Sequence, residues 1–278
     1  MFTTLVSVTD LTAHLADPDW LVFDCRHDLA DTAAGQRAYA QLHIPGAHFL
    51  HLDDDLSGPK TGVNGRHPLP DAGEFCARLA ARGMRNATQA VAYDASGGVF
   101  AARLWWMLRW IGHPRVAVLD GGWDAWLTGG SPVSAQPAIA RPAAFSGAAH
   151  DALVDADFIF SRLGKPDFKL LDARSADRFR GENETLDPVG GHIPGAQNRF
   201  FKLNLAGDGR FKPATELRHE LEAALGAIDP AQVVHQCGSG VTACHNLLAM
   251  EIAGLHGSRL YPGSWSEWCS DTRRPVAH

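Results

Sequence analysis

Short runs of apolar residues alternate with amphipathic segments along the chain. The runs KLLDAR (169–174) and QVVHQ (232–236) are typical of strands buried on both faces of a sheet. Apolar residues recur every three to four positions in segment 214–228, which predicts a helix with Thr215 as its N-cap. Segment 242–255 predicts a second helix that ends at a glycine. Strands and helices in alternation predict an α/β fold, with a mostly parallel sheet flanked by helices on both faces.

The two halves of the chain share four motifs in the same order, at nearly constant separation. The pairs are LVFDCR (21–26) with KLLDAR (169–174), HIPGAHF (43–49) with HIPGAQN (192–198), AVAYDASGG (90–98) with VVHQCGSG (233–240), and GGWDAW (121–126) with GSWSEW (263–268). One such pair could arise by chance, but four pairs in order indicate a duplicated unit. The sequence therefore predicts two related domains in tandem.

A segment rich in alanine, proline, glycine and serine separates the two halves. It has neither a helical nor a strand period, and its prolines favour an extended connector. We predict one domain over residues 1–128, a linker over 129–150, and a second domain over 151–278.

Composition narrows the choice of partners and compartment. The formal net charge is −6 and no basic tract offsets it, which argues against a nucleic-acid partner. The first residues lack the basic and apolar regions of a signal peptide, and no apolar run reaches the roughly 20 residues that span a bilayer. Five widely spaced cysteines without a CxxC pair fit a reduced protein better than a disulfide framework or a zinc site. We expect a cytoplasmic protein with no membrane contact.

Cys237 is the strongest candidate for a chemically reactive residue. It follows a predicted strand directly and opens the segment CGSGVT, which leads into a helix. Ligands of parallel sheets bind at the carboxyl ends of strands, where this cysteine lies. Gly238 and Gly240 free the backbone to turn its amides inward as an anion-binding nest, and the helix dipole adds typically about 0.3–1 kcal/mol. Ser239 and Thr242 supply hydroxyl donors, so the loop is suited to hold a thiolate or a persulfide.

Two other interpretations of this cysteine deserve weight. A buried cysteine is often a small packing residue, and we assign that role to Cys25 and Cys244. Cysteine phosphatases use a similar loop with an arginine six positions after the cysteine, but Ala243 stands there in this chain. Without that guanidinium a phosphate dianion lacks its bidentate partner, which argues against phosphatase activity.

Together these motifs resemble the two-domain rhodanese-fold sulfurtransferases, over residues 5–270. The HIPGA and D-x-R motifs of both halves carry the resemblance, and the loop CGSGVTAC is similar to that of the 3-mercaptopyruvate sulfurtransferase branch. The resemblance implies two rhodanese-like domains, of which only the second is catalytic. It also implies transfer of sulfane sulfur through a Cys237 persulfide. Asp94 occupies the equivalent place in the first domain and cannot form a persulfide.

The resemblance also implies a proton relay and a donor-binding site. Ser239, His67 and Asp53 match the relay, which would protonate the enolate left when a C–S bond breaks. The loop residues Gly238, Gly240, Val241 and Thr242 would contact the donor. Arg178 matches the arginine that grips the donor carboxylate, and Arg66 is a second candidate. The main alternative for Arg178 is an ion pair with Asp177 or Glu182.

One position departs from the resemblance. Mercaptopyruvate enzymes often carry a second arginine about nine residues after the first, whereas this chain has Asp187 near that place. Arg199 or Lys202 could replace it. Neutral Gly238 and Ser239 after the cysteine nevertheless suit a monoanionic mercapto acid better than thiosulfate, since the thiosulfate branch usually has basic residues there.

We therefore expect an enzyme that moves sulfur from 3-mercaptopyruvate to a thiol or cyanide. A thioredoxin-like reductant is a further acceptor to consider. A thiosulfate sulfurtransferase of the same fold is the main alternative, and a non-enzymatic binding module is a third. We expect no cofactor and no metal, because the chain has no dinucleotide fingerprint, no Walker loop and no set of residues with metal-ligand spacing.

Overall fold

The computed structural model describes residues 1 to 278, which form two compact units. The first unit comprises Met1–Gly58, Pro70–Asp151 and Gly207–Arg210; the second comprises Pro59–Leu69, Ala152–Ala206 and Phe211–His278. By its contacts, the segment Pro59–Leu69 thus belongs to the second unit, although it comes from the first half of the sequence. None of the helices is long and apolar enough to cross a membrane.

The first unit is built on a five-stranded sheet. Its strands are β1 (Leu5–Val6), β2 (Trp20–Asp24), β3 (His48–Phe49), β4 (Gln89–Tyr93) and β5 (Val116–Leu119). Its helices are α1 (Val8–Ala13), α2 (Ala34–Gln41), α3 (Ala72–Ala81), α4 (Val99–Trp110) and α5 (Gly122–Thr128). The strand order is β1-β5-β4-β2-β3, and all neighbours are parallel.

The core of the first unit surrounds β4. All five residues of this strand are buried, as expected for an apolar run in the middle of a parallel sheet. Helix α4 is buried at every position except Arg109, which explains why its sequence is apolar almost all round.

The second unit repeats the central part of this architecture. Its strands are β6 (Lys169–Asp172), β7 (Gln197–Asn198), β8 (Val233–Gln236) and β9 (Arg259–Leu260). Its helices are α6 (Ala156–Arg162), α7 (Ala176–Phe179), α8 (Ala214–Leu225), α9 (Thr242–Ile252) and α10 (Ser264–Trp268), with 3₁₀ turns at Phe201–Asn204 and Pro230–Gln232. The order β7-β6-β8-β9 is again fully parallel and matches β3-β2-β4-β5 of the first unit. A single parallel bridge between Leu153 and Leu260 stands where β1 pairs with β5.

The N-cap predicted for α8 is wrong. Thr215 lies inside the helix, and Pro213 occupies the cap position without any side-chain hydrogen bond. Gly226, with φ of +65°, ends the helix after Leu225, three residues earlier than predicted. Glycine tolerates this backbone region, which a side chain at the same place would strain.

The repeated D-x-R and tryptophan motifs form the same cluster in each unit. The arginine pairs with the aspartate two residues before it and stacks on the tryptophan of the short helix after the last strand. In the first unit these are Arg26, Asp24 and Trp123, and in the second Arg174, Asp172 and Trp265. In the first unit the cluster joins the end of β2 to α5, and in the second it joins the end of β6 to α10. Each of these helices lies beside the loop that follows β4 or β8. The sequence similarity between the halves is thus a similarity in three-dimensional structure.

Candidate functional site

Cys237 lies at the carboxyl end of β8, a central strand of the second sheet. Its side chain is buried, and α9 begins five residues later. The backbone around it is clamped to α10. The Cys237 carbonyl accepts a 3.0 Å hydrogen bond from the Trp265 amide, and the Gly238 carbonyl accepts one of 2.9 Å from the Ser266 amide. The cysteine is therefore held in place by its neighbours on the fold.

The Cys237 sulfur accepts a hydrogen bond of 3.2 Å from the amide of Gly240. Gly240 has φ of +77°, and a Cβ there would lie 2.4 Å from the carbonyl oxygen of Pro262. Only glycine fits this position, because any other residue would combine backbone strain with a steric clash. The glycine thus turns an amide toward the sulfur, where it can stabilise negative charge.

In the first unit, the equivalent loop directs backbone amides at the carboxylate of Asp94. Its buried carboxylate accepts hydrogen bonds of 2.7–2.9 Å from the amides of Ser96, Gly98, Phe100 and Ala101. Burial raises the pKa of Asp94, while these four hydrogen bonds act in the opposite direction. Since this loop and that of Cys237 have the same length and the same strand–helix setting, the fold can turn several amides toward the first residue of the loop.

His67 contacts Ser239 within the second unit. Nδ1 of His67 lies 2.7 Å from the Ser239 hydroxyl, and both side chains are buried. The segment that carries His67 is attached at its preceding residue, where the Arg66 amide donates to the Ser266 hydroxyl at 3.0 Å. The structure therefore brings together two of the three residues of the predicted relay.

Asp53, the third residue of that relay, belongs to the first unit. Its amide donates to Nδ1 of His51 at 3.2 Å, in a turn that precedes the segment with His67. Its participation in the relay stays a prediction.

Arg66 and Arg178 lie side by side next to the cysteine loop. A Cβ on Gly238 would lie 2.8 Å from Nη2 of Arg66 and 3.5 Å from Nη2 of Arg178. Arg178 projects from the short helix α7, and Arg66 from the segment Pro59–Leu69. The two guanidinium groups therefore lie beside the loop that carries Cys237.

Two buried carboxylates accompany these arginines. Glu184 binds Arg178 through two hydrogen bonds of 2.8 Å, whereas Asp187 pairs with Arg66. Burial would raise the pKa of Glu184, but the hydrogen bonds from Arg178 and from two backbone amides lower it. Burial raises the pKa of Asp187, against the effect of Arg66. The site is thus a compact set of alternating charges.

The sequence model of the rhodanese-like domain family matches residues 7–128 and 156–271. The chain belongs to the rhodanese family. A probable 3-mercaptopyruvate sulfurtransferase of Pseudomonas aeruginosa is 49% identical over 276 residues, which cover 98% of this chain and 97% of that protein. The thiosulfate sulfurtransferase of Bos taurus is 34% identical over 260 residues, 90% of this chain and 85% of that protein.

Solved structures agree with this assignment. The 3-mercaptopyruvate sulfurtransferase of Leishmania major superposes with a TM-score of 0.87 at 33% identity, covering 99% of this chain and 76% of that chain. SseA of Escherichia coli, described as a 3-mercaptopyruvate sulfotransferase, gives 0.81 at 29% identity, covering 95% and 99%. The predicted pair of rhodanese-like domains, each with a parallel sheet between helices, is confirmed.

In this rhodanese chain Arg178 forms an ion pair with neither Asp177 nor Glu182, the two partners that the sequence suggested. Its guanidinium binds Glu184, and Glu182 pairs with Arg180 instead. The Asp177 carboxylate accepts a hydrogen bond from the Arg178 amide at 2.8 Å. Segment 177–184 offers three acidic residues, and only the turn after α7 decides which of them reaches the guanidinium.

Val241 and Thr242 continue the loop into α9. Val241 is the N-cap position and is buried, and Thr242 is the first helical residue and is partly exposed. Their contact with a donor, like that of Gly238 and Gly240, remains a prediction.

Ser264 is a site residue that sequence reasoning missed. Its hydroxyl accepts a 3.1 Å hydrogen bond from the Cys237 amide and donates one of 2.9 Å to the Tyr261 carbonyl. It is the one non-glycine residue of the chain with positive φ, at +54°. The matching residue of the first half is Gly122, with φ of +56°. The only signal in the sequence is that Ser264 of GSWSEW aligns with the second glycine of GGWDAW.

The other four cysteines are buried, and none forms a disulfide. Burial raises the pKa of Cys25 well above its usual value and that of Cys269 to about 11. The Cys244 thiol donates a hydrogen bond of 3.3 Å to the Gly240 carbonyl, which helps to fix the backbone of the loop after Cys237. These contacts are typical of packing residues.

Proposed function

We propose that the protein is a sulfurtransferase that carries sulfane sulfur from 3-mercaptopyruvate to a thiol or cyanide through a persulfide on Cys237. The observation that carries this proposal is the Gly240 amide directed at the Cys237 sulfur, at the end of a central parallel strand. The carboxylate of 3-mercaptopyruvate also suits the two arginines beside Gly238.

The first half-reaction needs one nucleophile and one proton transfer. The Cys237 thiolate attacks the thiol sulfur of the donor, the S–S bond forms, and the donor C–S bond breaks with its electron pair left on carbon as pyruvate enolate. The proton of the donor thiol is released when the new persulfide ionises, and it reaches the enolate carbon to give pyruvate. His67 and Ser239, 2.7 Å apart, are placed to pass that proton. The terminal sulfur of the persulfide anion accepts hydrogen bonds from the loop amides, as the Asp94 carboxylate does in the first unit.

The second half-reaction regenerates the enzyme. Cyanide or a thiol attacks the terminal persulfide sulfur, the S–S bond breaks, and the electron pair returns to Cys237 as thiolate. The product is thiocyanate or a new persulfide. No group outside the donor and the acceptor is consumed.

The Arg66 and Arg178 guanidinium groups support binding of the donor carboxylate. Each already has a carboxylate partner, so the donor shares or displaces an existing ion pair rather than meeting a bare cation. A planar guanidinium has five N–H donors, and Arg178 uses its Nε and Nη2 on Glu184. Its remaining donors are suited to a second carboxylate.

The direct test is mass spectrometry of the Cys237 peptide after incubation with 3-mercaptopyruvate. We expect one added sulfur atom on this peptide, its loss on addition of cyanide, and no addition in Cys237→Ser. Cys76→Ala, a buried cysteine of the first unit, is the control and should load sulfur as the unmodified protein does. Absence of the added sulfur with every sulfur donor would refute the proposal.

Thiosulfate is the second candidate donor. Relatives at 34–36% identity over most of the chain carry the name thiosulfate sulfurtransferase. Comparison of kcat/KM for the two donors separates the candidates, and a clear preference for thiosulfate would reverse our choice.

We further propose that the protein works in the cytoplasm, where a thioredoxin-like reductant is one of the acceptors. Five cysteines that form no disulfide support a reducing compartment, since cysteines in oxidising compartments usually form disulfides. The test is turnover with thioredoxin and its reductase, followed through reductant consumption; no turnover above the rate without donor would exclude this acceptor.

A further inference from the structure

The charged groups beside Gly238 come in compensating pairs. Arg66 and Arg178 contribute two positive charges, and Glu184 and Asp187 contribute two negative ones. The neighbouring pair of Arg174 with Asp172 is also balanced. A donor anion therefore meets a site whose formal charge is zero, despite its two partly exposed guanidinium groups.

Asp187 occupies a special position within this set. Its side chain is 3% exposed, and Oδ1 pairs with Arg66 while Oδ2 lies 3.6 Å from Nη2 of Arg178. Oδ2 has no hydrogen-bond partner. A buried carboxylate oxygen without a hydrogen bond is costly, so its presence in this site calls for an explanation. Glu184, in contrast, is fully engaged by Arg178 and by the amides of Leu186 and Asp187.

We propose that Asp187 sets the donor selectivity of the site, because its fixed negative charge beside both arginines favours a monoanionic sulfur donor over a dianionic one. This inference rests on the proposed function, since it names the class of donor that the same site accepts. A dianion such as thiosulfate feels about twice the repulsion from Asp187 that a monoanionic mercapto acid feels. At a separation of about 6 Å and an effective dielectric of about 40, between that of water and that of the protein surface, one additional unit charge corresponds to about 1.4 kcal/mol, or about tenfold in relative efficiency.

The experiment compares kcat/KM for thiosulfate with that for 3-mercaptopyruvate in Asp187→Asn. Asparagine keeps the size of the side chain and removes the charge. We expect the ratio of thiosulfate to mercaptopyruvate efficiency to rise about tenfold. Glu182→Gln is the matched control, because it removes the same charge from an exposed residue of the same segment, and it should leave the ratio unchanged.

A second variant guards against a folding defect in Asp187→Asn. Arg66→Gln removes the cation and leaves Asp187 uncompensated, so the same ratio should fall below that of the unmodified protein. Opposite shifts in the two variants support a charge effect of Asp187. Equal losses with both donors in each variant would mean that the Arg66–Asp187 pair only holds the segment Pro59–Leu69 in place, and the inference would be wrong.

The two proposals fail in different ways. If the unmodified protein forms no persulfide with either donor, the sulfurtransferase proposal fails, and this inference falls with it. If the unmodified protein transfers sulfur but the ratio in Asp187→Asn stays within the range of Glu182→Gln, the function stands and only the role of Asp187 is rejected.

Discussion

The Ser264 hydroxyl accepts a 3.1 Å hydrogen bond from the backbone amide of Cys237. Ser264 is fully buried and adopts φ of +54°, a conformation that costs a non-glycine residue roughly 1–2 kcal/mol. At the matching place of the first unit, a Cβ on Gly122 would lie 2.4 Å from the Asp94 carbonyl oxygen. The second unit thus tolerates strain at a position where the first uses glycine, and the strained residue orients the amide of the proposed nucleophile.

This relationship predicts that stability and reactivity separate in variants of Ser264. Ser264→Ala keeps the strained backbone and leaves the buried Cys237 amide without its acceptor, which costs about 1–3 kcal/mol of unfolding free energy. Ser264→Gly relieves the strain, so its Tm should lie nearer to that of the unmodified protein. Both variants should lose persulfide formation, because the loop is no longer oriented by the hydroxyl.

The measurement is the iodoacetamide alkylation rate of Cys237 as a function of pH, alongside Tm. A merely structural role for Ser264 would make reactivity follow Tm, so full reactivity in the more stable glycine variant would contradict the positioning role. Ser270→Ala removes an exposed hydroxyl two residues after α10 and should change neither quantity.

The contact between His67 and Ser239 predicts a donor-dependent loss of activity. Ser239→Ala removes the group that lies 2.7 Å from Nδ1 of His67. Since general acid catalysis contributes typically about 10²–10⁴-fold, kcat with 3-mercaptopyruvate should fall by at least about 100-fold. Thiosulfate leaves sulfite rather than a carbanion, so transfer from thiosulfate should fall much less.

Single-turnover measurements of persulfide formation with each donor provide the readout. His67→Gln should show the same donor dependence as Ser239→Ala, because the two side chains act in one relay. Similar losses with both donors would show that these residues support loop structure and do not move a proton.

Gly238 and Gly240 should respond differently to alanine. A Cβ on Gly238 meets only the mobile ends of Arg66 and Arg178, whereas a Cβ on Gly240 meets the Pro262 backbone at 2.4 Å. Gly238→Ala should therefore fold with little change in Tm but raise KM for the donor severalfold, because the new Cβ displaces the Arg66 guanidinium and lies in contact with that of Arg178. Gly240→Ala should lose about 2 kcal/mol or more of stability and most of its activity. Equal KM values for Gly238→Ala and the unmodified protein would argue against donor binding at these arginines.

Local patterns were sufficient to predict much of the fold. Buried strands such as β8 are continuous apolar runs, and the glycines after Cys237 mark the turn into α9, so this loop could be located without coordinates. The duplicated motifs predicted the paired sheets, since each D-x-R arginine stacks on the tryptophan of its own unit. These features depend on neighbours in sequence or on a repeat that the sequence displays.

Other parts of the site depend on contacts that no local pattern encodes. His67 reaches Ser239 across 172 residues because the segment Pro59–Leu69 packs in the second unit, and the resemblance, not the spacing, pointed to it. The choice of Glu184 as the partner of Arg178 depends on the turn after α7. The backbone strain at Ser264 is invisible in composition, because serine is common at helix starts in ordinary conformations.

The buried histidine beside the loop predicts a specific acid sensitivity. His235 is fully buried in β8, and neither ring nitrogen has a hydrogen-bond partner. Burial, together with Arg199, lowers its pKa from 6.5 to about 3. In the unfolded chain His235 is therefore protonated as the pH falls below about 6.5, whereas in the folded protein it stays neutral down to about pH 3. The stabilising contribution of the neutral ring is fully present above pH 6.5 and is lost as the pH falls through this window, by up to about 1.4 kcal/mol per pH unit.

His235→Met should remove this sensitivity. Methionine fills a similar volume without a titratable group or unpaired nitrogens, so stability at neutral pH should be equal or higher. Urea unfolding at several pH values between about 4 and 7 measures the effect, since the unfolding free energy of the variant should fall less steeply toward acid. His219→Gln, at an exposed position of α8, should reproduce the steep slope of the unmodified protein. If His235→Met has that same slope, the acid sensitivity comes from other groups, and burial of His235 does not control it.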